Sequence, residues 1–424
     1  MKLRNLEISF SKNSEFLWLM GGQLVSILFS IVIVKIITKI GTSDFGIYSL
    51  ILTISALVSA LLVGPSEQGF VRYFFSFEGL ENKRRFINVI YLFFILTVIL
   101  IALIAILMSL FKIIVEPNVL LTAVFIVFFT FSSFFASLFN LIRKRKLNTI
   151  IIVLEKLVST ALLYTLMFNK ILNITNVLLV LSFSIIVGLV MRISYFNSVF
   201  NYRIWRDLKS ISWREYLIYK KVFVFSIPLV IWGLAGWLES SSDRWVIAHF
   251  SNLDTVGIYS LMITLSSYLI ATPLGVVGQY FQPIIFEQIN RLDLNSKSNK
   301  VLNNFFRSCI FLVAFGVLFS LLFGKLLLSF IAINFATFWY FLPFFSLSIG
   351  LFQLAQAYTI FGMIYEKPRV YLIPKIILGV VSLLLNIAGV YYLQIIGLTI
   401  SMILASSIYL IMVLMINRKF KYHL

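Results

Sequence analysis

One rhythm constrains this chain more than any other feature. Runs of about twenty apolar residues, the length that crosses a bilayer as a helix, return twelve times between short polar gaps. In the first half they are Phe16–Lys39, Phe45–Gly64, Phe86–Phe111, Val119–Ile142, Ile150–Phe168 and Thr175–Phe196. In the second half they are Val222–His249, Val256–Gly275, Phe305–Ile331, Phe338–Phe361, Val370–Tyr392 and Ile395–Ile416. The chain is 61% hydrophobic and only 12% charged, against about 45–50% and about 25% in soluble domains. An aqueous globule of 424 residues cannot bury that much apolar surface, so the solvent is lipid. In lipid each spanning segment must satisfy its own backbone, which leaves helices as the form these runs take. The expectation is an all-α polytopic membrane protein with twelve transmembrane helices. The second and eighth are expected to run on beyond Gly64 and Gly275, and Pro228, Gly233 and Gly236 permit a bend in the seventh.

The formal charge of +19 would suggest nucleic acid in a soluble chain. Here the cations crowd alternate gaps: Lys2, Arg4 and Lys12, then Lys83–Arg85, Arg143–Lys146, Arg203 to Lys221, Arg291 to Arg307, Lys367 and Arg369, and the tail Arg418, Lys419 and Lys421. The intervening gaps hold little beyond Lys112 and Lys170. Basic loops stay inside, so both termini are expected in the cytoplasm, and the charge reads as topology and anionic lipid rather than as a nucleic-acid footprint. Arg192 and Lys156, near cytoplasmic helix ends, read as topology residues too. The largest gap, Asn197–Lys221, interleaves Trp205, Leu208, Trp213 and Tyr216 with Arg and Lys and reads as an amphipathic linker at the membrane surface.

The chain also repeats itself. Gly-Ile-Tyr-Ser-Leu occurs at Gly46–Leu50 and again at Gly257–Leu261, and the offset of 211 continues through Thr53 and Thr264, Ala60 and Ala271, Gly64 and Gly275, Gln68 and Gln279, and Phe70 and Phe281. A duplication divides the chain into a six-helix lobe at 1–196, the linker at 197–221 and a second six-helix lobe at 222–424. Both halves begin in the cytoplasm, so the repeats are parallel, an arrangement suited to alternating access with the substrate held between lobes. The pentapeptide itself reads as a turn at the outer end of each first helix pair rather than as a binding site.

Ionisable groups at membrane depth are costly, so they face a cavity or a partner. Lys35 either snorkels to the outer headgroups or lines a lumen. Arg72, at the cytoplasmic end of the second helix, either lines an inner vestibule or meets lipid phosphate. The seventh helix carries GWLESSSDRWVIAHF, where Glu239 and Asp243 are four residues apart on one face and Arg244 points about 100° away. This segment is polar nearly all round, so it must face protein or water. Its acids serve either a substrate or ion site, or a structural network that neutralises an arginine. Lys375, Gly379, Ser382, Asn386 and Gly389 form one stripe whose small residues suit close helix packing, with Lys375 near enough to a vestibule to reach it.

Catalytic chemistry is not written into the sequence. The two histidines, His249 and His423, are far apart in the chain; Cys309 is the single cysteine; and no phosphate-binding Gly-rich loop is present. Neither an enzyme, nor a metal site, nor a cofactor is expected. The outward gaps are only a few residues long, which argues against a membrane polysaccharide polymerase.

GTSDFGIYSL after the first helix, GPSEQGFVRYF at the end of the second, and SSSDRWVIAHFSNLDTVGIYSL from the seventh into the eighth together resemble the polysaccharide-export flippases of the Wzx type, including O-antigen flippases. These belong to the multidrug/oligosaccharidyl-lipid/polysaccharide exporter superfamily. The late stretch LLLNIAGVYYLQIIGLTISMILASS is similar to the link between that family's last two helices. The resemblance spans the chain and implies a MATE-like pair of six-helix lobes around a central cavity. It also implies movement of an undecaprenyl-pyrophosphate-linked oligosaccharide from the inner to the outer leaflet of a bacterial cytoplasmic membrane, beside a polymerase and a chain-length regulator of the same pathway. On that pattern Lys35, Arg72 and Arg244 are candidate cationic lumen contacts, and Asp44, Glu239 and Asp243 are gate or charge-balance residues. The sequence lacks the two extra helices of lipid II flippases and the acid-dominated lumen of drug exporters. A cation-coupled exporter of the MATE type stays the alternative.

Overall fold

In the computed structural model, residues 2–77, 79–110, 119–207, 213–292, 296–365 and 367–421 are described, and among them there is no strand. Helix α1 is Lys2–Ile37, α2 Thr42–Ser76, α3 Leu80–Leu110, α4 Val119–Leu141, α5 Arg145–Phe168 and α6 Ile174–Val199. Helix α7 is Trp213–Phe250, α8 Leu253–Phe286, α9 Ser296–Ile331 and α10 Ile333–Ile364. The last helical stretch, Leu372–Lys421, breaks at Gln394 (φ 49°, ψ −129°), giving α11 over 372–393 and α12 over 395–421. Gly389 and Gly397 meet backbone to backbone across this break, which lets two helices turn on each other without a loop. The structure is therefore the all-α, twelve-helix bundle that the apolar runs predict. It differs at the seventh span, where helix begins at Trp213, inside the expected linker, and continues without interruption through Pro228. Residues 208–212 of that linker lie outside the described part.

The chain forms two compact units. Unit 1 comprises Met1–Ile40 and Ile51–Leu234, and unit 2 comprises Gly41–Leu50 and Ala235–Leu424. Unit 1 is packed around aromatic rings: Phe70 meets Phe86, Phe93 and Phe134 at 5.7–5.8 Å, in the edge-on or tilted geometries that ring quadrupoles favour. Phe131, Phe135, Phe139 and Phe196 are all buried there. Unit 2 has one apolar cluster around Ile270, Phe305, Cys309 and Ile360, and another around Ala355, Leu378, Tyr409 and Val413.

Hydroxyls are common in these helices, and many of them bond back onto their own turn. Thr97, Thr130, Ser184 and Ser226 each donate to the carbonyl four residues earlier, at 2.8–2.9 Å. A polar side chain satisfied this way needs no partner in lipid. Helices α2 and α8, the two copies of the repeat, both contain a π-helical turn, at Ser59–Val63 and Ser267–Ala271. Single π-turns of this kind disturb an α-helix locally and cluster at functional positions.

The pentapeptide departs from the expected turn. Gly46–Leu50 and Gly257–Leu261 lie inside helices, and within unit 2 they cross one another. A Cβ on Gly46 would strike the Leu253 carbonyl, and one on Gly257 would strike the Thr42 carbonyl. Only glycine lets two helix backbones approach so closely. Ser49 donates to the Ser260 hydroxyl at 2.6 Å, and Thr42 donates to the Asp254 carboxylate. The copies are thus glycine at a crossing, not glycine at a turn.

Candidate functional site

Polar side chains collect in three places. The first lies in unit 2, on the last four turns of α7. Glu239 and Asp243 share a helix face as their spacing requires, but they take different partners. The Lys375 ammonium, on α11, donates to the Glu239 carboxylate at 3.1 Å and sits 4.5 Å from the Phe352 ring centroid and 5.8 Å from that of Tyr409. Asp243 is 2% exposed; it accepts from the Tyr259 hydroxyl and from the Arg244 backbone N–H at 2.7 Å. The Arg244 guanidinium does not point away from this acid as ideal helical geometry suggests. Its Nη1 turns back to 3.5 Å from Asp243, its Nε donates to Ser260 at 3.2 Å, and it lies 5.6 Å from the centroid of the Tyr259 ring. Ser260 in turn receives Ser49. Two acids and two bases neutralise each other here, and each cation is also held on an aromatic face.

The second place is the interior of unit 1. Arg192 on α6 is 1% exposed and forms a forked pair with Glu155 on α5, at 2.6 Å from Nη1 and 3.2 Å from Nη2. Its remaining donors reach Ser132 at 2.8 Å and Asn148 at 3.1 Å. Gly188 leaves room on α6 for the Glu155 side chain, since a Cβ there would overlap it. Arg192 is therefore a buried tie between three helices, not a topology residue. Lys156 is likewise turned inward, donating to the Ser30 hydroxyl on α1. The Arg192 correction has a physical cause: in lipid an acid such as Glu155 needs a cation, and it fixes where that cation must point. An acid in an apolar run was the signal available in the sequence.

The third place is a cavity of about 690 Å³ within unit 1, between α2 and the first half of α7. Ala60, Gly64, Gln68 and Arg72 line it from α2, and Phe225, Leu229, Trp232 and Gly233 line it from α7. Each set falls at helical spacing, one stripe per helix. The two helices touch on either side of the cavity. Beyond it, a Cβ on Gly69 would come within 2.7 Å of the Ser226 hydroxyl and 2.9 Å of Val222, while at its other end Gly233 abuts the Ala60 carbonyl. Between these contacts lie the π-turn of α2 and Pro228 of α7, which cannot donate to the carbonyl one turn earlier. Arg72 rests with its guanidinium carbon 5.0 Å from the centroid of the Phe225 ring. Tyr73 packs edge-on to Phe225 at 5.8 Å and carries the Lys221 ammonium at 4.7 Å. Unlike Arg192, Arg244 and Lys375, Arg72 meets no carboxylate among the described residues.

Three of the six candidate residues come together. Glu239, Asp243 and Arg244 belong to the unit 2 cluster, and Arg72 to the unit 1 cavity. Asp44 is half-buried in the first turn of α2, where a carboxylate complements the helix dipole. Lys35 is half-buried in the last turn of α1, where a cation does the same. Sequence reasoning left out Tyr259, Ser260, Glu155 and the aromatic holders Phe225 and Phe352. Lys375 showed itself only as a cation on a small-residue stripe, and Gly379 of that stripe does pack closely, 2.9 Å from the Ala235 carbonyl to its added Cβ. Groups of His, Cys, Asp and Glu suited to a metal ion do not occur among the described residues.

No curated protein sequence gives a significant match. An inward-facing multidrug resistance MATE transporter of the MOP superfamily superposes with a TM-score of 0.66 at 15% identity, covering 96% of this chain and 99% of its own. The lipid II flippase MurJ, in an inward closed conformation, superposes with a TM-score of 0.71 at 12% identity, covering 95% of this chain and 87% of its own. A MOP transporter from Pyrococcus furiosus, described by the reversed polarity of its binding pocket, gives 0.59 at 15% identity over 95% of this chain and 94% of its own. These likenesses establish the fold. The family model for polysaccharide biosynthesis proteins matches residues 14–287, so the chain belongs to the polysaccharide biosynthesis protein family, built on the membrane fold of MOP-superfamily transporters.

Proposed function

We propose that the chain is a flippase that moves an undecaprenyl-pyrophosphate-linked oligosaccharide from the inner to the outer leaflet of a bacterial cytoplasmic membrane, for O-antigen or another surface polysaccharide. On this reading the lobes at 1–196 and 222–424, joined by the linker at 197–221, alternate access to a central cavity, with both termini cytoplasmic. The role is transport rather than catalysis, and a polymerase and a chain-length regulator of the same pathway act on the product. The observation that carries the reading is Arg72: a cation on a cavity wall, with no carboxylate partner among the described residues, in a chain of a polysaccharide biosynthesis family. An anionic substrate headgroup supplies what that cation lacks. In the unit 2 cluster, Glu239 and Asp243 hold Lys375 and Arg244 in balance, and Asp44 and Lys35 serve at the outer end.

A cation-coupled exporter of the MATE type is the second reading, favoured by the two acids on α7, Asp243 buried and Glu239 half-buried. Deleting the gene separates the two. The flippase reading expects lipid-linked repeat units to accumulate on the cytoplasmic leaflet and surface polysaccharide to disappear. Normal surface polysaccharide with altered drug sensitivity would overturn it in favour of the exporter.

A further inference from the structure

We infer that Glu239, Phe352 and Tyr409 form an alkylammonium site in unit 2 whose resident ligand is the chain's own Lys375, so that the place beside Glu239 is closed to mobile cations. The inference goes beyond the flippase reading and does not rest on it.

Four helices of unit 2 meet here. Glu239 comes from α7, Phe352 from α10, Lys375 from α11 and Tyr409 from α12. The Phe352 and Tyr409 rings stack at 5.8 Å between centroids, with 27° between their planes. The Lys375 Nζ stands 4.5 Å from the first centroid and 5.8 Å from the second, and the same nitrogen donates to Glu239 at 3.1 Å. Lys375 and Tyr409 are both buried. A carboxylate joined to ring faces is the chemistry that recognises an alkylammonium ion: the rings attract its charge and pack on its methylenes, while the acid neutralises it. A hard metal ion would need a shell of oxygens instead.

Backbone register delivers the ammonium to this place. Gly379 lies one turn after Lys375 on α11, and Ala235 lies one turn before Glu239 on α7. A Cβ on Gly379 would come within 2.9 Å of the Ala235 carbonyl, so the two helices are in close contact at that level. Pairing 235 with 379 and 239 with 375 makes the helices antiparallel and sets the acid opposite the base. Lys375 is the only charged residue of α11. A ligand tethered in this way acts as though present at about millimolar concentration or above, so a free cation meets an occupied site. The neighbouring acid is supplied in the same manner, for Asp243 has the Arg244 guanidinium, itself set against the Tyr259 ring. A mobile coupling cation finds neither acid of α7 open.

The test uses the full chain in nanodiscs of neutral phosphatidylcholine. Lys375→Ala removes the atoms of a propylammonium ion, so propylammonium chloride is the matching probe, with sodium chloride and 1-propanol at equal concentration as controls. Lys375→Ala is expected to unfold several degrees below wild type, because it strands Glu239. Propylammonium should restore about half or more of that loss, saturating in the millimolar range, and neither control should. Adding Glu239→Gln to Lys375→Ala should abolish the rescue, and adding Phe352→Leu should weaken it about threefold or more, the share of the ring. Wild type should show no saturable stabilisation by propylammonium, sodium or potassium. Absence of rescue by propylammonium overturns the proposal, and so does equal rescue by sodium chloride, which would make the place a plain carboxylate. Saturable sodium or potassium binding by wild type that Glu239→Gln removes overturns it too. For Lys375→Ala protein that does not survive purification, the comparison is read as folded yield by fluorescence-detected size exclusion after solubilisation with and without propylammonium, and no gain in yield has the same consequence. The flippase reading is tested apart from this, by the deletion phenotype.

Discussion

Two arginines of unit 1 have the same chemistry and opposite circumstances. Arg192 is sealed among α4, α5 and α6, and its guanidinium donates to Glu155, Ser132 and Asn148. Arg72 stands exposed on a cavity wall with a ring beneath it and, among the described residues, no acid paired with it. Depth in the chain does not distinguish them, since both lie in spanning helices. Partnership does: a cation whose charge is already answered holds helices together, and one whose charge is unanswered can receive a ligand. The same contrast holds between seams. The α2–α8 crossing, glycine on glycine, leaves no space, whereas α2 and α7 touch twice and part between.

The largest expected effect falls on the closed member of the pair. Arg192→Ala strands Glu155 in the interior, and breaking a buried pair by removing one partner costs about 3–5 kcal/mol. The expected outcome is a steep fall in folded, monodisperse protein by fluorescence-detected size exclusion, with polysaccharide export lost as a consequence. If Arg192→Ala matches wild type in thermal stability, the distinction between the two arginines collapses.

A smaller effect tests the closed seam. Gly257→Val places two methyl groups against the Thr42 carbonyl and is expected to cost about 1–3 kcal/mol, as overpacking does. Gly236→Ala, where an added Cβ meets nothing within 4 Å, should be neutral or slightly stabilising because it stiffens the unfolded chain. Thermal unfolding of the two variants side by side measures the difference, and equal behaviour would mean that the crossing is not tightly packed.

The smallest effect belongs to the open member. Arg72→Ala removes an exposed side chain whose charge meets only the Phe225 ring among the described residues, so its stability should stay within about 1 kcal/mol of wild type while export falls. Loss of stability comparable to that of Arg192→Ala would give Arg72 a structural task.

Much of this fold was legible because lipid leaves so few options. Twelve apolar runs had to be helices, and the second and eighth do run on beyond Gly64 and Gly275 as expected. The break at Gln394 fell in the expected gap between the last two spans. The site was far less legible. Helical spacing put Glu239 and Asp243 on one face but could not say that Lys375, more than a hundred residues later, would answer one of them while Arg244 folded back to the other. It misread Arg192 and Lys156, because being near a helix end and facing inward are independent properties. It took Gly46 and Gly257 for turn residues, since glycine at a turn and glycine at a crossing look the same until the partner backbone is known.

That crossing also carries a history. Ser49 bonds to Ser260, and Gly46 meets Gly257, each with the residue 211 positions away. A surface that recognises its own copy in this way is isologous, the contact that a twofold axis creates in a homodimer. The crossing is therefore what a symmetric pair of six-helix ancestors would have shared before their genes were joined. A single chain has no obligation to keep both sides alike. Arg244, which holds Ser260, stands where the first copy has Ile33, and Asp243 stands where it has Val32. A true dimer would have to bury two arginines and two aspartates at its axis or none, and the single chain buries one of each.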